Sequence, residues 1–69
     1  MRTGRVFNRI RELRTSAGLT QQELADRVDA TRQTIIAIEA GKYAPSLELA
    51  FRLVEEFETG FEDVFQFKR

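Results

Sequence analysis

The stretch Thr20-Gln21-Gln22-Glu23-Leu24-Ala25-Asp26-Arg27-Val28-Asp29-Ala30-Thr31-Arg32-Gln33-Thr34-Ile35-Ile36-Ala37-Ile38-Glu39 contains two helix starts separated by one short turn. Thr20 and Glu23 have capping-box spacing: the threonine oxygen reaches the amide of Glu23 and the glutamate reaches back. Leu24, Ala25 and Val28 then form one inward stripe, with Ala25 small enough to let another helix cross closely. Asp29-Ala30 is too short a link for anything but a tight turn between steeply crossing helices, with Asp29 in the left-handed position. Thr31 is the N-cap of the next helix, Ile35 and Ile38 face inward, and Gly41 stops it.

Working outward, Val6, Phe7, Ile10, Leu13 and Ala17 recur at spacings of three and four, which predicts a helix over Val6 to Ala17. Gly18 closes it, and Leu19 folds back onto its last turn. Downstream, Lys42-Tyr43-Ala44-Pro45 leads to Ser46, the cap of a fourth helix carrying Leu47, Leu49, Ala50, Leu53, Val54 and Phe57. Thr59-Gly60 interrupts, and Phe61-Glu62-Asp63-Val64 makes one helical turn. The tail Phe65-Gln66-Phe67-Lys68-Arg69 alternates with the period of a strand. A lone strand of that length must pair, either with Met1 to Val6 or with a second subunit. The expected fold is all-α: a compact bundle of about five helices plus a short C-terminal β-strand.

At 69 residues the chain is read as one domain, 1–69, with no repeat, linker or low-complexity segment. It has neither cysteine nor histidine, so no disulfide staples it and no metal or cofactor is expected. Without those side chains the remaining nucleophile candidates are threonines and serines needed as caps, and no enzyme is expected. Apolar runs fall far below the roughly 20 residues that span a bilayer, and Met1-Arg2-Thr3-Gly4-Arg5 opens no signal region, so no membrane partner and a cytoplasmic location are expected. Net charge is zero, yet residues 1–42 carry eight cations against five acids, a balance of +3, and residues 43–69 carry three against six, a balance of −3. A chain polarised this way can turn its basic half to phosphates, although the same charges also fit ordinary solvated helix faces.

Leu19-Thr20-Gln21-Gln22-Glu23-Leu24-Ala25, then Thr31-Arg32-Gln33-Thr34-Ile35, then Ile38-Glu39-Ala40-Gly41-Lys42-Tyr43-Ala44-Pro45-Ser46, with Arg14 upstream, resemble the phage-repressor Cro-type helix-turn-helix family, also called the xenobiotic-response-element family. The resemblance runs from about Asn8 to Phe65. It implies a lambda-repressor-like fold and, among the smallest members, a DNA-binding domain ending in a dimerisation strand. This chain departs from the family in two places. Asp29 stands where glycine is usual in the turn, and Ile36 stands where many relatives are polar.

The implied function is a sequence-specific transcriptional regulator, a repressor by default, whose partners are double-stranded DNA and a second copy of itself. In this docking mode the N-terminal turn of the third helix enters the major groove. Arg32 and Gln33 are the candidate base readers, Arg32 having a phosphate contact as its alternative. Ile36 can pack on a thymine methyl group or on sugar, and Ala37 can offer a methyl contact. Gln21, Gln22, Thr31, Thr34, Lys42 and Tyr43 are candidates for the DNA backbone, with Gln22 equally able to remain solvated. Arg14 and Glu39 occupy the positions of a family ion pair tying the first helix to the reading helix. Phe61, Val64, Phe65 and Phe67 crowd the segment 61–69, an apolar excess that points to a two-fold dimer interface, whereas Phe51 and Phe57 read as core. A two-fold dimer implies an inverted-repeat operator. The competing readings are a protein-interaction module, or a toxin-pair antitoxin, of the same fold.

Overall fold

A computed structural model of the chain describes residues 5–68, in the order β1 (Arg5–Asn8), α1 (Ile10–Ser16), α2 (Gln21–Arg27), α3 (Arg32–Glu39), α4 (Leu47–Phe57), α5 (Phe61–Val64) and β2 (Phe65–Lys68). The fold is mostly helical, with five helices, and carries two strands instead of the one expected. β1 and β2 pair antiparallel in the register Arg5↔Lys68, Val6↔Phe67, Phe7↔Gln66 and Asn8↔Phe65.

The first helix therefore starts at Ile10, not at Val6. Val6 and Phe7 have the right spacing for a helix, but β-branched and aromatic residues also favour a strand, and β2 offers them a ladder of backbone partners. Beyond the ladder, the Arg9 amide donates to the Val64 carbonyl at 2.9 Å, and the Asn8 side-chain oxygen accepts from the Ile10 amide at 3.1 Å. Val6, Phe7 and Ala17, expected inside, are exposed. The tail finds its partner within the chain, at Arg5 and Val6 of the segment expected to supply an edge; Met1 to Gly4 lie outside the described residues, as does Arg69.

Helices α1, α2 and α3 end in the same way. The amides of Leu19, Ala30 and Lys42 return to the carbonyls of Arg14, Ala25 and Ala37 at 3.1, 2.9 and 2.9 Å, each across one left-handed residue. That residue is glycine at 18 and 41, with φ of 74° and 75°, and Asp29 at the second closure, with φ of 60°. Starts are equally local. Thr20 and Glu23 complete both halves of the capping box, while Thr31 and Ser46 accept from the amides of Thr34 and Leu49. The break after α4 comes at Glu58, also left-handed, one residue before the expected Thr59-Gly60.

Ile10, Leu24, Ala25, Val28, Ile35, Ile38, Ala50, Leu53, Val64 and Phe65 form the core. Two assignments change here. Val64 and Phe65, expected at a dimer interface, are buried within their own chain, because α5 and β2 fold back over the bundle. Phe51, expected in the core, is exposed and meets Phe61 at 5.8 Å between ring centres with the planes tilted by 60°, while Phe57 packs against the core as expected.

Candidate nucleic-acid interface

α3 buries Ile35 and Ile38 and turns Arg32, Gln33 and Ile36 outward, because residues three and four apart share one helical face. The Thr31 cap is reinforced by a 2.9 Å hydroxyl pair with Thr34, so two hydrogen bonds close the first turn of α3. One open groove brings Gln21, Gln22, Arg32 and Ile36 together between α1, the start of α2 and α3. Arg11 lines the same groove, one helical turn before Arg14; sequence reasoning missed it, although its three-residue spacing from Arg14 on a helix was a readable signal. A second groove carries Lys42 and Tyr43 and meets the first at Glu39 and Ala40. Gln33, Thr34 and Ala37 line neither groove and occupy the neighbouring stripe of α3. Gln22 is held by Asp26 at 2.9 Å.

Glu39 is the hub behind this face. Its carboxylate accepts from Arg14 Nε at 2.7 Å, from Arg14 Nη2 at 3.3 Å and from Gln21 Nε2 at 3.1 Å. The remaining Arg14 nitrogen, Nη1, donates to the Leu19 carbonyl at 2.9 Å. Gln21 thus commits one side-chain N–H to the ion pair. Just before Glu39, the Ile38 carbonyl accepts from Asn8 Nδ2 at 3.0 Å, joining α3 to the end of β1.

The charge pattern sorts by face. Arg9 pairs with Glu12, Arg27 with Glu56, and Arg52 with Asp29 and Glu48. Among the described residues Arg5, Arg11, Arg32, Lys42 and Lys68 have no ion-pair partner, and all of these but Lys68 line the two grooves. Unpaired cations beside an exposed helix face give an anionic polymer a favourable potential even when the chain as a whole is neutral. At the start of α2 the Glu23 carboxyl is held below the usual carboxylate range, chiefly because it accepts from the Thr20 backbone amide.

Residues 10–64 match the model of the helix-turn-helix family. The chain belongs to the XRE-type branch of that family. A helix-turn-helix transcriptional regulator from Methanothermobacter thermautotrophicus is 56% identical over 57 residues, 81% of this chain and 83% of that protein. One from Archaeoglobus fulgidus is 49% identical over 59 residues, covering 86% and 84%. The regulator YgzD of Bacillus subtilis is 47% identical over 58 residues, covering 84% and 88%. Among solved structures, the restriction-modification controller protein C.AhdI from Aeromonas hydrophila superimposes with a TM-score of 0.74 at 31% identity, over 80% of this chain and 83% of that one. The clp gene regulator ClgR from Corynebacterium glutamicum shares the fold, with a TM-score of 0.72 at 24% identity over 78% of this chain and 57% of that one. The helix-turn-helix chain described here is, by family, a DNA-binding transcriptional regulator, and no helix among its described residues is long and apolar enough to cross a membrane.

Proposed function

We propose that this chain is a sequence-specific repressor that binds an inverted-repeat operator in double-stranded DNA as a homodimer. The observation that carries the reading is the doubly bonded first turn of α3, which holds Arg32 and Gln33 outward, with Arg32 in the same groove as the unpaired Arg11 and Lys42 in the adjoining one. Arg32 reads guanine, Gln33 reads adenine, and Ile36 and Ala37 add apolar contacts, each good bidentate pair being worth about 1–3 kcal/mol of discrimination. Gln21, Gln22, Thr31, Thr34, Lys42 and Tyr43 line up on the DNA backbone with Arg11 and set register without choosing sequence.

The dimer is supported by an apolar face on the side of the molecule made by β1, β2, α5 and the start of α4. Phe61 and Phe67, two of the residues expected there, remain exposed and are joined by Val6, Leu47 and Phe51, with Leu47 68% and Phe67 60% accessible. An apolar groove bounded by Val6, Pro45, Leu47, Phe61 and Phe67 runs through this face. Exposed apolar residues this concentrated on a chain of 69 residues are the mark of an association surface. A two-fold pairing puts two copies of α3 about 34 Å apart on one face of the duplex. Repression is the default reading, because a dimer bound over a promoter blocks it by occupying it. Similarity to C.AhdI, a restriction-modification controller protein, supports a regulatory role.

Selection of bound duplexes from a random pool tests the reading. A symmetric motif, losing base preference at one position per half in Arg32→Ala and at another in Gln33→Ala, is the expected result. An asymmetric or absent motif overturns it.

A further inference from the structure

The operator-facing helix and the apolar dimer face are separate surfaces, and the spacing of two half-sites is legible only if something holds one to the other. We propose that Asn8 is that positioning residue: its side-chain amide ties the β1–β2 sheet to the C-terminal end of α3 and so sets the separation of the two recognition helices in the dimer. The inference rests on the dimeric reading above.

Asn8 is the last residue of β1 and stands opposite Phe65, a buried residue of β2. Its Oδ1 is committed to the Ile10 amide at 3.1 Å, which leaves Nδ2 as the group directed at the Ile38 carbonyl, 3.0 Å away. The network thereby fixes the orientation of the side-chain amide. The Ile38 carbonyl also accepts from the Gly41 amide at 3.0 Å, so both of its lone-pair positions are used. Among the described residues no other hydrogen bond joins the sheet to α3. Two positions along β1, the cross-strand pair Val6 and Phe67 is exposed on the apolar face. The core packs Val64 and Phe65 with Ile35 and Ile38 without directional bonds, so the hydrogen-bonded path from dimer surface to reading helix is one strand, one side chain and one carbonyl.

Helical rise makes small errors matter. At about 1.5 Å per residue α3 is about 12 Å long, so a tilt of ~10° about its C-terminal end moves the Arg32 tip by about 2 Å. Two symmetric tilts sum to about the ~3.4 Å rise of one base pair. Freeing the end of α3 therefore widens the tolerated spacer without altering which bases each half reads.

The test uses the full chain and duplexes carrying the selected half-site twice, with the spacer as selected or one base pair shorter or longer. Two variants separate the bonds. Asn8→Asp keeps the acceptor for Ile10 and replaces the donor to Ile38 by an acceptor, and Asn8→Ser keeps a capping oxygen without charge or reach. The parent is expected to lose about tenfold or more in affinity for each off-length spacer, and both variants about threefold or less, with half-site base preference unchanged and sedimentation still showing dimers. A general loss of stability lowers affinity for all three spacers alike and does not flatten the profile. Variants that repeat the steep profile of the parent overturn the role of Asn8 alone. A parent indifferent to spacer length, or binding single half-sites as a monomer, overturns the dimeric reading and the role of Asn8 with it.

Discussion

Arg14 Nε lies 2.7 Å from Glu39 Oε2, in an ion pair whose side chains are only 11% and 5% exposed. Two charges out of water gain little net stability together, but either one alone is stranded. Arg14→Leu or Glu39→Leu alone is expected to destabilise by about 3–5 kcal/mol in urea denaturation. The double replacement recovers most of that, less about 1–3 kcal/mol for the Gln21 amide and Leu19 carbonyl left unpaired. If the pair orients α3, the recovered double variant still binds operator more weakly than the parent; full affinity in it refutes orientation.

Base readers and phosphate contacts separate by salt. Arg11→Ala and Lys42→Ala are each expected to lower the slope of log affinity against log salt by about 0.9 while leaving base preference intact. Gln33→Ala does the reverse, keeping the slope and relaxing one position of the motif. A salt titration of operator and scrambled duplexes distinguishes the two classes.

Asp29 holds a left-handed backbone at φ 60°, a conformation that costs an L-residue more than glycine. Its carboxylate sits 3.5 Å from Arg52 but is 92% exposed, so the ion pair offsets little. Asp29→Gly is expected to raise stability by about 0.5–1 kcal/mol, read as a higher urea midpoint at unchanged slope.

Two apolar substitutions test different surfaces. Leu53→Ala opens the buried core and is expected to cost about 2–5 kcal/mol of folding stability. Phe67→Glu, on an exposed strand position, leaves the fold standing and shifts the dimer towards monomer in sedimentation at micromolar concentration.

The Glu23 carboxyl titrates below its ordinary range chiefly because it accepts from the Thr20 backbone amide, so the folded state binds its proton less readily than the unfolded chain. A lowered folded value gives stability that is complete above the unfolded value and lost as pH falls through the folded one. The stability gap between parent and Glu23→Gln is therefore expected to be constant from neutral pH to about pH 5 and to close below about pH 4. A gap unchanged at low pH contradicts the charged cap.

What the sequence determined by itself lies within a few residues of each signal. Thr20 with Glu23, Thr31 with Thr34, Ser46 with Leu49, and the left-handed stops at Gly18, Asp29 and Gly41 are bonds spanning three to five positions, so local spacing suffices to read them. The inward stripes of α2 and α3, and with them the outward placement of Arg32 and Gln33, follow from the same helical period. The tertiary structure decided the rest. Val6 and Phe7 carry a pattern compatible with helix or strand, and pairing with Phe67 and Gln66 at the far end of the chain selects the strand. The same pairing draws Val64 and Phe65 into the core and leaves Phe51, Phe61 and Phe67 as the apolar face. Hydrogen bonds such as Asn8 to Ile38 join elements brought together by chain closure, and a residue-by-residue spacing holds no record of which distant carbonyl a side chain will meet.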